Sequence, residues 1–232
     1  MDKTLIISVH GIRTNLEDPK TWQLGLDQWL NRNYPTEKLS GQLVHLPFSY
    51  GVLGPVGSFI INVFSWAGLA KLVNPFAVNH FVKFLRGVQS AYTDYKIYIV
   101  CHSFGTWVTH EALKSNHDLK VEGYYLVGGV ISAHITKNAL DEMLMIKQIN
   151  HCIVWCSHKD TVVRYLAVPP FGHIGYWGIL TIDEDDRVHP KWKPYPHLAL
   201  YNRETDYEHT NYFVPDTFSQ IMKDIIYGPK KG

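Results

Sequence analysis

Ile97-Tyr98-Ile99-Val100-Cys101-His102-Ser103-Phe104-Gly105 runs from an apolar, β-branched stretch straight into a serine and a glycine, and its reading decides the fold. The first four residues have strand character. Beyond the glycine, Trp107, Val108, Ala112 and Leu113 recur with helical spacing. A strand that gives way to a helix so abruptly must reverse on one residue in a strained conformation, and the positions two before and two after that residue must be small. Gly105 meets this requirement, and Cys101 is small enough to stand where glycine is usual. Ser103 is therefore read as a nucleophile carried on a sharp turn. The competing reading is an ordinary serine N-cap.

Working outward, strand and helix signals alternate, as in a parallel sheet covered on both faces. Leu5–Val9 reads as a strand ending at His10-Gly11, Trp22–Leu30 as a helix and Gln42–Pro47 as a second strand. A helix from about Asn79 to Tyr92 carries the stripe Phe81, Phe84, Leu85 and Val88. Tyr124–Val127 is a strand closed by Gly128-Gly129, Asn138–Ile146 a helix, Cys152–Cys156 a strand and Asp216–Ile226 a closing amphipathic helix. The stretch 161–208 is loop-rich, with His197–Tyr201 as a last strand. The acidic run Asp183–Asp186 lacks the spacing of a calcium loop and reads as a solvated turn. The fold expected is α/β, a mostly parallel central sheet with helices on both faces, in one domain over 1–232.

Composition narrows the function classes. Lys and Arg number 22 against 21 for Asp and Glu, so the balance offers no basic face for nucleic acid. The N-terminus enters a strand without a signal-peptide segment, and Cys101, Cys152 and Cys156 form an odd set that fits a reducing, cytoplasmic compartment. Cys152 and Cys156, with His151 and His158 beside them, invite a zinc reading. Ile153-Val154-Trp155 instead makes them core thiols on one strand face, and no cofactor or metal is expected. No charged residue occurs between Gly51 and Ala70. Its glycines and Pro55 shorten any helix below a membrane span, so residues 51–75 read as an apolar lid or interfacial segment, and 51–70 as a peripheral membrane contact.

A serine hydroxyl needs a histidine to take its proton and a carboxylate to orient that histidine. Asp160, in Ser157-His158-Lys159-Asp160, is the carboxylate at a strand end after Ser103, and its alternative role is N-cap of a helix from Thr161. Two histidines compete as base. His209 lies between the last strand and the closing helix, where the architecture wants it. His173, in Phe171-Gly172-His173, follows Asp160 too soon and serves better in the pocket lining or as a structural donor. An oxyanion hole needs two backbone donors, assigned to Phe104 and to Ile12 in His10-Gly11-Ile12-Arg13. His10, Gly11 and Arg13 brace that loop or touch substrate.

In this order, His10-Gly11, Ser103, Asp160 and His209 resemble the α/β-hydrolase superfamily of serine esterases and lipases across nearly the whole chain. More narrowly, Val9-His10-Gly11-Ile12-Arg13-Thr14 and His102-Ser103-Phe104-Gly105-Thr106 are similar to small uncharacterised bacterial and phage hydrolases. In that group the terminal histidine lies in a segment similar to Glu208-His209-Thr210-Asn211-Tyr212-Phe213. The resemblance implies an α/β-hydrolase fold and acyl transfer to water from a small ester or thioester, lipid-like if the apolar segment lies beside the site. An acyltransferase or amidase would use the same three residues. A silent binding module is the alternative from another class, and the intact series argues against it.

Overall fold

The computed structural model describes residues 1–11, 22–49, 66–166, 171–179, 181–182, 188–189 and 200–228, without the side chains of 66–74, 133–138, 166, 181–182 and 188–189. Six strands form one sheet: β1 (Thr4–Val9), β2 (Leu43–Phe48), β3 (Lys96–His102), β4 (Val121–Val127), β5 (Ile149–Cys156) and β8 (Leu200–Glu204). Their order is β2-β1-β3-β4-β5-β8, and every pairing is parallel. Thr181–Ile182 and Val188–His189 form a separate antiparallel pair, β6 and β7.

The strands are apolar throughout because helices cover both faces. Leu5, Ile7 and Val9 of β1, with Ile97, Ile99 and Cys101 of β3, pack beneath α3 (Trp66–Ala91), α4 (Phe104–Lys114) and α5 (Ala133–Met145). Ile6, Tyr98, Val100, Ile153 and Trp155 face the other way, under α1 (Trp22–Asn33) and α8 (Pro215–Tyr227). Phe218, Ile221, Met222 and Ile225 give α8 its buried stripe, and Pro215 opens it with a fixed φ. Three short helices complete the set: α2 (Pro35–Leu39), α6 (Thr161–Leu166) and α7 (Ile174–Trp177).

Several elements differ from the sequence reading. The helix read as Asn138–Ile146 begins at Ala133 and the strand read as Cys152–Cys156 at Ile149, while α2, α7, β6 and β7 are not part of that reading. Two further differences have a clear physical reason. The helix expected from about Asn79 begins at Trp66 and runs through Pro75. Proline removes one intrahelical hydrogen bond but leaves the flanking turns able to form, so it does not mark the helix start. The last strand spans Leu200–Glu204, further along than His197–Tyr201. It lies at the sheet edge, paired with β5 alone, and therefore accommodates the polar Asn202, Arg203 and Glu204. Residues 51–65 of the expected lid, Asp183–Asp186 and residues 197–199 lie outside the described residues. Among the described residues no helix is long and apolar enough to cross a membrane.

The strand order fixes where a site can form. The chain leaves β1 toward β2 on one side and returns to β3 on the other, so the carboxyl ends of β1 and β3 form the topological switch point, where sheets of this kind bind their ligands. Gly11 and Ser103 stand at those two ends.

A largely buried polar seam fastens α1 to β1 and β2. Gln23 Nε2 donates to the Ser8 carbonyl (2.7 Å) and to Ser8 Oγ (3.1 Å). His45 Nε2 meets Ser8 Oγ at 2.8 Å, while His45 Nδ1 meets Asp27 Oδ1 at 3.3 Å. Lys38 Nζ donates to the same carboxylate at 2.9 Å. The His45 hydrogen bond, followed by Lys38, holds the Asp27 carboxyl well below the usual range.

Burial also lowers the pKa of His10, His45, His102, His110 and His151, with His102 and His110 pushed down to about 3. The unfolded chain takes up protons at these positions as pH falls through about 6.5, and the folded chain only at lower pH, about 3 for His102 and His110. Their contribution is thus fully present above that pH and lost below it. The urea midpoint is expected to fall steeply between about pH 6 and pH 5, at roughly 1.4 kcal/mol per pH unit for each fully buried histidine. Equal midpoints at these two pH values would contradict neutral burial.

Candidate active site

Ser103 sits between β3 and α4 with φ 52° and ψ −125°, in the left-handed region that non-glycine residues avoid. Hydrogen bonds on both sides hold it there. Its N–H donates to the Val127 carbonyl of β4 (3.2 Å), and its carbonyl accepts from the Thr106 N–H (3.0 Å) and hydroxyl (2.6 Å). Thr106 Oγ1 in turn accepts from the Val130 N–H at 3.1 Å, tying the turn to the loop after β4.

The two small positions are now explained. A Cβ on Gly105 would lie 2.6 Å from the carbonyl oxygens of both Val9 and His10, so the first turn of α4 rests directly on the end of β1. Cys101 points into the helix layer, where its thiol donates to the Tyr125 carbonyl at 3.2 Å. Thiol size suffices on that side. Burial raises the pKa of Cys101 and Cys152 and pushes Cys156 up to about 12. Cys152 and Cys156 share that face of β5, while His151 faces the other and meets the Tyr125 hydroxyl at 3.0 Å.

Asp160, fully buried, uses its two carboxylate oxygens separately. Oδ1 accepts from the Val163 N–H (3.0 Å) and caps α6, while Oδ2 meets His209 Nδ1 at 2.9 Å. One carboxylate thus makes both a helix-cap bond and a bond to His209. The Asp160 turn is closed by Ser157, whose carbonyl accepts from the Asp160 N–H (3.1 Å) and whose hydroxyl accepts from the Lys159 N–H (3.1 Å).

His209 lies in the segment between β8 and α8, with Nε2 3.0 Å from Ser103 Oγ. A carboxylate only accepts, so Nδ1 carries the proton and Nε2 offers its lone pair to the serine hydroxyl. The sequence thus brings Ser103, His209 and Asp160 into one hydrogen-bonded chain. His173 instead bonds through Nδ1 to the Val163 carbonyl at 3.0 Å, joining α6 to the start of α7.

Three neighbours of this chain carried no assigned role in the sequence. His102 is buried; its Nε2–H donates to the His209 carbonyl (3.0 Å), and its ring packs on His209 at 4.7 Å between centroids. Desolvation, then the nearness of His209, lowers its pKa, so it stays neutral beside His209. Tyr212 donates to the Gly175 carbonyl at 3.3 Å, and burial next to Asp160 raises its phenol pKa. Gly128 has φ +51°, and a Cβ there would meet Tyr212 Cε2 at 2.9 Å, Asp160 Oδ2 at 3.2 Å and His209 Nδ1 at 3.3 Å. The only signal for it was the Gly-Gly pair after β4.

At the end of β1, a Cβ on Gly11 would lie 3.0 Å from Ser103 Cβ and 3.4 Å from Oγ, so only glycine brings this backbone so close to the serine. His10 is buried, with Nδ1 on the Gly11 carbonyl and Nε2 3.2 Å from Ser49 Oγ, and it braces the start of the loop. Phe104, whose N–H is the amide next after Ser103, opens α4. Ile12 and Arg13 lie outside the described residues.

No protein-family model and no curated protein matches the sequence. Solved structures do match. An uncharacterised Bacillus cereus protein aligns at TM-score 0.57 and 14% identity, over 98% of this chain and 59% of its own length. A dienelactone hydrolase from Anabaena variabilis aligns at 0.54 and 11%, over 96% of this chain and 83% of that one. A Xanthomonas campestris α/β serine hydrolase without a lid aligns at 0.52 and 9%, over 100% and 85%. The chain has the α/β-hydrolase fold. Within the α/β-hydrolase fold these alignments span nearly all of this chain, yet this chain spans well under two thirds of the Bacillus cereus protein.

The crowding at Gly128 gives a direct test. Gly128→Ala is expected to lower stability by about 1–3 kcal/mol in urea denaturation. Gly87→Ala, in the interior of α3 with nothing within 4 Å of the added Cβ, is expected to raise it by about 0.5–1 kcal/mol.

Proposed function

We propose that the protein is a serine hydrolase that cleaves carboxylic esters, thioesters included, through an acyl-enzyme on Ser103. The observation that carries this reading is the unbroken Ser103 Oγ–His209–Asp160 hydrogen-bond chain ending on a serine of strained backbone. In acylation His209 Nε2 takes the hydroxyl proton as Oγ attacks the ester carbon, and Asp160 stabilises the imidazolium. The amide of Phe104, together with that of Ile12, receives the negative charge on the carbonyl oxygen. His209 then returns the proton to the departing alcohol. Water repeats the sequence on the acyl-serine, releasing the acid and restoring Ser103.

Neutral His102 suits this scheme. It fixes the His209 main chain without placing a second cation beside the imidazolium that forms during turnover.

Labelling with a fluorophosphonate, followed by intact mass, tests the reading. The native protein is expected to gain one adduct, and Ser103→Ala none. His209→Ala should be labelled slower by orders of magnitude, Asp160→Asn roughly 10³–10⁴-fold slower, and His173→Ala at close to the native rate. His102→Phe, which keeps a ring but loses the donor, should slow labelling by roughly 10- to 100-fold, with His102→Gln recovering part of it. A folded native protein that takes no label would end the proposal. Nitrophenyl esters of rising chain length would then define the acyl group accepted.

A further inference from the structure

The segment between β8 and α8 that carries His209 has little main-chain support. Among the described residues, the one hydrogen bond from another part of the chain to the backbone of 206–213 is that of the His102 Nε2–H to the His209 carbonyl, at 3.0 Å. The placing of His209 therefore hangs on the orientation of a neighbouring imidazole. A row of aromatic rings sets that orientation.

Phe213, in the same segment as His209, stands nearly perpendicular to His102, with centroids 5.0 Å apart and planes at 85°. Trp22, the first residue of α1, lies flat against Phe213 at 4.0 Å and 7°. With His102 and His209 in contact at 4.7 Å, the rings run in series from α1 to His209. The α1 end of the row is fixed. Gln23, next to Trp22, donates to the Ser8 carbonyl at 2.7 Å and to Ser8 Oγ at 3.1 Å, which anchors the start of α1 on β1. Phe218 of α8 braces Phe213 at 6.1 Å.

A flat stack at this separation holds each ring in one plane, which aliphatic contacts of the same area do not. Trp22 and Phe213 are only half-buried, so filling the core gives no reason for two stacked rings here. We propose that Trp22 is a positioning residue for His209, acting through Phe213 and His102 to keep the imidazole aligned between Asp160 and Ser103. The step it serves rests on the hydrolase reading, in which a misplacement of about 1 Å costs roughly a hundredfold in rate. Trp22 itself takes no proton and no charge.

Time courses of fluorophosphonate labelling, urea midpoints and NMR of isotope-labelled histidine, which reads the His209 ring tautomer without any substrate, test this together. Trp22→Leu is expected to end at one adduct per chain but to be labelled roughly 5- to 50-fold slower, with Trp22→Phe recovering most of the rate. Combining Trp22→Leu with His102→Phe should be no slower than His102→Phe alone, because both changes cut the same connection. His209 is expected to keep its proton on Nδ1 in the native protein and to mix tautomers in Trp22→Leu. Ile225→Val, toward the other end of α8, should lower the urea midpoint and leave the rate unchanged. Phe213→Leu decides the matter if Trp22→Leu fails to fold. A native labelling rate or an unchanged tautomer in the folded leucine variants would overturn the proposal, and so would losses that multiply in the double variant. A native protein that takes no label, while its His209 tautomer still depends on Trp22, would end the hydrolase reading and leave the positioning of His209 standing.

Discussion

The reversal of the chain at Ser103 is the constraint around which the neighbouring structure is arranged. A non-glycine residue in that conformation costs about 1–3 kcal/mol, so it persists only where its surroundings leave no alternative. Here the Ser103 N–H continues the sheet hydrogen bonding to β4, the Thr106 hydroxyl grips the Ser103 carbonyl, and Gly105 allows α4 to settle on the carbonyls that end β1. The same reversal places the side chain at the switch point between the carboxyl ends of β1 and β3. Gly11 lacks a side chain because the serine already occupies the space one would need.

Around the turn, polar groups are buried with definite partners and definite protonation. Asp160 divides its carboxylate between a helix cap and an imidazole, so the position of α6 and the orientation of His209 are set by one side chain. His102 clasps the main chain of His209 and contributes an uncharged ring to its flank. Gly128 keeps the floor beneath the Asp160–His209 bond empty. Apart from the helix cap, each of these contacts spans residues far apart in sequence, so the arrangement depends on the whole sheet having formed.

Legibility in the sequence followed the same division between local and distant. The strands β1, β3, β4 and β5 were readable because burial on both faces leaves unbroken apolar runs, and Ser103 because its turn is local chemistry. Asp160 and His209 were singled out by their places in the chain order, His209 also by the resemblance of Glu208–Phe213. The edge strand β8 was displaced in the reading because one exposed side admits Arg203 and Glu204, which hide a strand from a hydropathy pattern. The early start of α3 was hidden by Pro75, a residue that weakens a helix without ending it. The roles of His102, Thr106 and Gly128 come from contacts with other strands and loops, which neighbouring letters do not encode. Cys101, the apparent departure from the motif, is explained only once its side chain is seen to face the helix layer rather than the turn.

The seam beneath α1 bears on how such sites are recognised at all. Ser8, His45 and Asp27 join in series at 2.8 and 3.3 Å, the same three residue types, in the same order, as Ser103, His209 and Asp160 at 3.0 and 2.9 Å. Ser8 is fully buried in the regular backbone of an inner strand, where no substrate reaches it. A template built from three side chains and two distances would therefore return two hits in this one chain. What distinguishes Ser103 from Ser8 is the main chain beneath it, strained at a positive φ in one and regular strand in the other.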